Sequence, residues 1–257
     1  MKQGDYSTLA RHYRHRAGYS HRVLGLILQY IGARPGVQDF RIVDVGAGTG
    51  KLTEDLLACG FSVICVEPNS EMRGEGSRLT AGRPARWAGA PAEQLPLRTG
   101  SFDWVLMGSS FHWTSAHRAL AEFHRVLRPG GHFTALWNPR RIEGLEFHER
   151  IEREIKSIVP ELKRVSSGAP KYTEAMHEVL VSTGHFADVI LVEAIETVRM
   201  SPDRYLGAWE SVNDVQAQAG PARWARILEM IRAQVSGRTE IDVPYRTRAF
   251  TATRVGN

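Results

Sequence analysis

The 257 residues read as an α/β protein built on a mostly parallel sheet, with helices inserted before its last strand. Three observations carry that expectation. Short β-branched and aromatic runs alternate with amphipathic stretches of helical length through the first half, the pattern of strands joined by crossover helices. A glycine-rich turn, Gly46-Ala47-Gly48-Thr49-Gly50, follows an apolar strand and opens a helix. Two β-rich runs near the end are separated by a long helical stretch, as when helices interrupt a closing hairpin.

In chain order, the first helix runs from Ser20 to Ala33, with Val23, Leu24, Ile27, Leu28 and Ile31 on one face and Ser20 as N-cap. Phe40 to Val45 is a short buried strand, and the glycine turn leads into a helix over Lys51 to Ala58. Gly60 closes it before the second strand, Phe61 to Val66. A helix from Ser70 to Leu79, a weak strand at Pro84 to Trp87 and a strand at Phe102 to Met107 follow. The amphipathic helix Ser115 to Leu127 ends at Pro129-Gly130-Gly131, because proline and glycine break helices. His132 to Trp137 is the fifth strand. Leu145 to Ile158 and Thr173 to Ser182 read as helices, and Val189 to Val198 and Ile241 to Thr253 as strands. Asp203 to Val235 between them reads as two helices broken at Gly220-Pro221.

Composition closes several alternatives. The chain is 42% hydrophobic and 24% charged, an ordinary globular balance. Two cysteines, Cys59 and Cys65, cannot staple a secreted scaffold, and no Cys/His spacing suits zinc, so no metal is expected. The start lacks the apolar core of a signal peptide, and no apolar run approaches the ~18 residues of a membrane span. A cytoplasmic protein without membrane contact is expected, its two thiols buried in the second helix and second strand. The net charge is +5 and the pI near 9.4, with five lysines against 28 arginines. Arg11, Arg14 and Arg16 alternate with His12 and His15. Such an arm suits nucleic acid or acidic lipid, a carboxylate site read by the planar guanidinium fork, or a plain solvated surface.

The glycine turn is the strongest local signal. Gly46 permits the tight turn, Gly48 lets a ligand approach the backbone, and Gly50 lets helix and strand pack closely. Glu67, seventeen residues beyond Gly50, ends the second strand, where a carboxylate can accept from both hydroxyls of a ribose. The third glycine comes one residue too early for the dinucleotide fingerprint. Asp44, just before the turn, disfavours a pyrophosphate and suits an ammonium group. Lys51 is followed by Leu52, so no phosphate loop is completed.

Over about Tyr13 to Asn138 the chain resembles the class I S-adenosylmethionine-dependent methyltransferases. VDVGAGTG (Val43 to Gly50) is similar to the family's first motif and VICVEP (Val63 to Pro68) to its ribose-binding acid. APAEQLPL (Ala90 to Leu97) resembles the adenine-flanking segment, SFDWVLMGSSFHW (Ser101 to Trp113) the fourth motif, and RVLRPGGHF (Arg125 to Phe133) the turn into the fifth strand. FHW (Phe111 to Trp113), YRHRAGYS (Tyr13 to Ser20) and VPYRTRAF (Val243 to Phe250) resemble a small-molecule branch that includes trans-aconitate methyltransferase-like and ubiquinone-biosynthesis-like enzymes.

The resemblance implies a Rossmann-like, doubly wound, mostly parallel seven-stranded sheet with an antiparallel last strand and a helical lid insertion. It implies S-adenosylmethionine as cofactor. Gly46, Ala47 and Gly48 would line its methionine portion, with Asp44 reaching the amino group through water and Ser109 beside it. Glu67 would hold the ribose, Pro68 and Met72 would pack near the adenine, and Ala92 and Glu93 would face its edge. Pro91 stands where many relatives carry an acid, and Glu93 is the substitute. Tyr13 and Arg16 would close over the cofactor, Arg16 pairing with its carboxylate. One methyltransferase domain, 1-257, is expected: a cofactor-binding core over 1-138, a helical cover over 139-170 and 201-238, and sheet-completing segments over 171-200 and 239-254.

Methyl transfer from a sulfonium is an in-line displacement that rests on alignment and desolvation. A carboxylate acceptor needs no base, whereas a hydroxyl or ammonium must lose a proton. His112 is the candidate catalytic residue, as base or as positioning group, with a structural role as the third reading. Trp137, Asn138, Arg140, Arg141, Tyr205, Trp209, Ser211, Asn213, Tyr245 and Arg246 are candidates to line an acceptor pocket. The expected partner is a small-molecule acceptor, on O, N or a carboxylate. A nucleic-acid-directed enzyme is disfavoured by the lack of an Asn/Asp-Pro-Pro-aromatic segment, a Pro-Cys nucleophile or an RNA-binding module. A non-catalytic cofactor-binding regulator is the third possibility, and the glycine spacing argues against a nicotinamide dehydrogenase. Oligomeric state is not legible.

Overall fold

A computed structural model describes residues 7–34, 36, 40–164 and 173–256. The last part of the expected helical cover, 165–170, and residues 171–172 lie outside the described residues. A 3-10 segment, Ser7–His15, precedes α1 (His21–Tyr30). Then come β1 (Ile42–Val45), α2 (Lys51–Ala58), β2 (Val63–Val66), α3 (Ser70–Leu79), β3 (Ala85–Ala88) and β4 (Phe102–Gly108). After the 3-10 turn Phe111–Trp113 follow α4 (Ala116–Val126), β5 (Leu127–Trp137), α5 (Glu146–Ile158), α6 (Met176–Val181) and β6 (Phe186–Met200). The helices α7 (Pro202–Glu210) and α8 (Asn213–Val235) lead to β7 (Ile241–Arg254).

The described strands form one seven-stranded sheet in the order β3-β2-β1-β4-β5-β7-β6. The pairs β1–β2, β1–β4, β2–β3 and β4–β5 are parallel, and β7 runs antiparallel to β5 from His132↔Thr253 to Trp137↔Arg248. This is the doubly wound arrangement with an antiparallel last strand. The strand order reverses between β1 and β4, which in open α/β sheets is where ligands bind, outside the carboxyl ends of the strands.

The helix starts follow local chemistry. The Ser20 hydroxyl accepts from the Val23 N–H, and Asn69 Oδ1 accepts from the Glu71 and Met72 N–H groups, each satisfying donors that a first turn leaves open. Differences from the sequence reading have local causes. The fifth strand starts at Leu127 rather than His132, because Phe102 pairs with Leu127 and Trp104 with His132, so residues 128–131 bulge between two ladder contacts. The stretch from Asp203 to Val235 breaks at Ser211-Val212 as well as at Gly220, whose backbone (φ 71, ψ 169) is not helical. Cys59 caps α2 and is half-buried, outside the helix; only Cys65 lies in the core.

The described chain separates into two compact units. One contains residues 18–34, 36, 40–139, 173–194 and 246–256. It has an apolar layer on each side of the sheet: Val43, Val45, Val105 and Met107 point to α4 and α6, and Ile42, Trp104 and Leu106 to α1 and α2. Strand side chains alternate between faces, which assigns odd and even positions to different layers. The other unit contains residues 7–17, 140–164 and 195–245, with its own core of Ile151, Ile155, Tyr205, Trp209, Ile227, Ile231 and Val243. Among the described residues no helix is long and apolar enough to cross a membrane.

Candidate functional site

The glycine turn at the end of β1 is shaped by its own backbone. Gly46, Gly48 and Gly50 have φ of 64°, 59° and 84°, a region that costs other residues strain. The Gly46 and Ala47 N–H groups both donate to the Val66 carbonyl, at 2.8 and 3.2 Å, tying the turn to the end of β2. A Cβ on Gly46 would lie 2.7 Å from Ser110 Oγ, whereas one on Gly48 would meet only the Met72 methyl, at 3.4 Å. Gly48 therefore keeps an open approach to its backbone. Gly50 starts α2 under the Trp87 ring, 3.2 Å from where its Cβ would be.

Glu67, at the end of β2, is buried, and the Gly48 and Asn69 N–H groups each donate to one of its oxygens at 2.9 Å. Burial pushes its pKa up, opposed by those two bonds. The carboxylate thus braces the turn it was expected to serve, and each oxygen keeps a second lone pair for a ligand hydroxyl.

Asp44 is fully enclosed. Its Oδ2 accepts from Thr53 Oγ1 at 2.7 Å, while Oδ1 has no hydrogen-bond partner among the described residues. Burial pushes its pKa up to about 7. A buried oxygen without a donor is costly and asks for a compensating group.

The end of β4 supplies the opposite wall. Ser109 has φ 54°, left-handed and unusual for a non-glycine residue, and its N–H donates to the Leu136 carbonyl at 2.7 Å. Strained backbone of this kind clusters at ligand sites. The Tyr19 hydroxyl donates to Ser109 Oγ at 3.1 Å, and Ser110 Oγ donates to the Val45 carbonyl at 3.2 Å. His112 follows in the 3-10 turn. Its Nδ1 accepts from the indole N–H of buried Trp137 at 3.3 Å, which leaves the imidazole proton on Nε2. Trp113 beside it is 54% exposed.

The remaining expected residues divide. Met72 and Ala92 are buried, Pro68 is exposed, and Glu93 Oε1 accepts from the Ser115 N–H at 2.7 Å, capping α4. Tyr13 and Arg16 belong to the other unit, where the Arg16 guanidinium lies 4.2 Å from the Tyr13 ring centroid and donates to Ser211 Oγ (2.7 Å) and the Ser211 carbonyl (2.8 Å). Arg11 and Arg14 are exposed. Among the described residues no group of three or more His, Cys, Asp or Glu is placed to hold a metal ion.

Sequence reading missed the strap at Gly18–Ser20. The Tyr19 N–H donates to Asp55 Oδ2 at 2.8 Å, Asn138 Nδ2 to the Gly18 carbonyl at 2.6 Å, and the Ser20 N–H to Thr247 Oγ1 at 3.0 Å. Thr247 Oγ1 donates in turn to Asn138 Oδ1 at 2.7 Å. Asn138, a candidate for the acceptor pocket, is thus committed to holding the segment that delivers Tyr19 to Ser109.

Residues 43–135 match a family model described as a methyltransferase domain. An uncharacterised methyltransferase of Mycobacterium bovis is 38% identical over 147 residues, covering 54% of this chain and 56% of its own length. A malonyl-[acyl-carrier protein] O-methyltransferase of Geobacter sulfurreducens is 41% identical over 122 residues, 46% of this chain and 45% of that protein. The chain thus spans about half the length of these curated relatives. Among solved structures, a candidate Type II methyltransferase of Anaeromyxobacter dehalogenans shares the fold, with TM-score 0.64 and 20% identity over 94% of this chain and 99% of the other.

Proposed function

We propose that this chain, whose residues 43–135 match a methyltransferase domain, is a class I S-adenosylmethionine-dependent methyltransferase that transfers a methyl group to a small-molecule acceptor. The observation that carries the reading is Asp44: a buried carboxylate with one oxygen lacking a donor among the described residues, beside a glycine turn open to close backbone approach. The ammonium of a methionine moiety, reached through water, supplies a compensating charge. A pyrophosphate would not. S-adenosylmethionine brings a sulfonium-activated methyl group, so the chain's task is alignment and exclusion of water.

In this reading Gly46, Ala47, Gly48 and Ser109 hold the methionine portion, and Glu67 accepts from the ribose hydroxyls through its remaining lone pairs. Pro68, Met72, Ala92 and Glu93 surround the adenine. His112 acts as a positioning group. Trp137 donates to Nδ1, so the neutral ring carries its proton on Nε2 and Nδ1 is not free to act as a base.

The test is transfer of label from methyl-labelled S-adenosylmethionine to panels of carboxylates, amines, phenols and sugars. Label on one class, with S-adenosylhomocysteine formed in equal amount, is the expected result. Cofactor binding without turnover on any panel would favour a non-catalytic binder, and no cofactor binding would overturn the reading.

A further inference from the structure

The helical unit gathers arginines whose charge its carboxylates do not balance. The helix α7 is the organising element. The Arg140 guanidinium lies 4.1 Å from the Trp209 ring centroid, Arg204 Nε donates to the His15 carbonyl at 3.3 Å, and Ser211, just past the helix, holds Arg16. Arg140 also forms a β-bridge with Tyr245 through the backbone. Of the nearby carboxylates, Glu152 is shared between Arg140 and Arg164, and the others are engaged elsewhere. Glu152 bonds Arg164 at 2.5 Å and Arg140 only at 3.3 Å, Asp214 bonds Arg164 at 3.0 Å, and Glu210 pairs with His12 at 2.9 Å. Arg204 bonds a backbone carbonyl, and Arg16 bonds the two Ser211 oxygens and lies over the Tyr13 ring; neither forms an ion pair among the described residues.

We propose that Arg140 and Arg204, with the Tyr245 hydroxyl and the added field of Arg16, form a binding site for a carboxylate-bearing small molecule. Guanidinium groups fixed by stacking and by carbonyl bonds are pre-organised donors whose planar fork matches a carboxylate. Tyr245 adds a neutral donor. Burial raises its pKa, while Arg140, Arg16 and Arg204 oppose that rise, so the phenol keeps its proton at neutral pH among cations that favour an anion. The identification of this ligand as the methyl acceptor rests on the function proposed above; the site itself does not.

The test is calorimetric titration of citrate into the full chain, with and without saturating S-adenosylhomocysteine. Trimethyl citrate serves as the neutral control and inorganic phosphate as the other oxyanion. Citrate is expected to bind at least tenfold more tightly than either. Arg204→Gln and Tyr245→Phe should each weaken it about tenfold, the Arg140→Gln/Arg204→Gln pair should abolish it, and S-adenosylhomocysteine affinity should be unchanged in all. Arg204→Lys, which keeps the charge and loses the fork, covers the case in which Gln unfolds the unit, and should fall between wild type and Gln. Citrate binding without S-adenosylhomocysteine binding would support the site and sink the methyltransferase reading. No citrate binding, equal binding of phosphate, or variants that weaken only S-adenosylhomocysteine would overturn the site.

Discussion

If the glycine turn receives an ammonium, binding must move a proton off Asp44. Burial holds this carboxyl at about 7, so near pH 6 it is about nine-tenths protonated in the unliganded protein. A cation docked against it restores the ionised form, and binding at pH 6 should release about 0.9 proton. Affinity should therefore rise about tenfold from pH 5 to pH 6 and level off as the pH passes 7. Calorimetry at pH 6 in two buffers of different ionisation enthalpy counts the proton directly. Asp44→Asn should bind S-adenosylhomocysteine more weakly and without this release. The same shift sets a stability trend. The folded pKa lies above the unfolded value of 3.8, so the folded chain binds more protons between them and stability falls as pH rises from about 4 to about 7. The full effect is about 4 kcal/mol, and Asp44→Asn should remove that slope. Binding at pH 6 without proton release, or with equal release in the Asn variant, would refute the reasoning.

Three other outcomes are expected. Gly76→Ala in α3 would normally stabilise a helix by about 1 kcal/mol, but its Cβ would lie 2.2 Å from the Trp87 ring, so denaturant unfolding should show a loss of about 1–3 kcal/mol that vanishes in a Trp87→Ala background. Gly46→Ala adds a clash with Ser110 to a left-handed φ and should cost about 2–4 kcal/mol, read as a fall in Tm; an unchanged Tm would count against the turn geometry. Trp137→Phe removes the donor to His112 Nδ1, and nitrogen NMR of labelled histidine should show the Nε2–H tautomer giving way to a mixture. An unchanged tautomer would detach His112 from Trp137.

Elements dominated by local chemistry were legible in the sequence. The helices α2 and α3 fall on their expected residues, because glycine punctuation and apolar spacing set their ends. The turn, Asp44 and Glu67 were legible because a strand–glycine–helix–strand pattern fixes where those residues stand, and the end of β4 through the resemblance of Ser101 to Trp113 to a family motif. What the sequence hid depends on partners far along the chain. Asn138 bonds Gly18, 120 positions away, and Asp55 bonds Tyr19, 36 away; no periodicity announces either pair. The same holds for Glu93, whose bond to Ser115 makes it a helix cap. The break at Ser211 was missed because serine and valine are tolerated in helices; there the Ser211 hydroxyl donates to the Ala208 carbonyl and Val212 turns extended. The arginine excess read from composition resolves in part to the cluster at α7.

The most direct test of the central claim is parallel calorimetric titration of S-adenosylhomocysteine into the full chain and into Gly48→Val. At position 48 packing leaves space, with only the Met72 methyl 3.4 Å from where a Cβ would be, so a valine there is strained by the left-handed φ of 59° rather than by a clash, and its branched side chain blocks the approach of a ligand to the backbone. Saturable one-site binding to the first, and its loss in a variant with native near-ultraviolet circular dichroism, is the expected result. Equal binding to both, or binding to neither, would contradict the account.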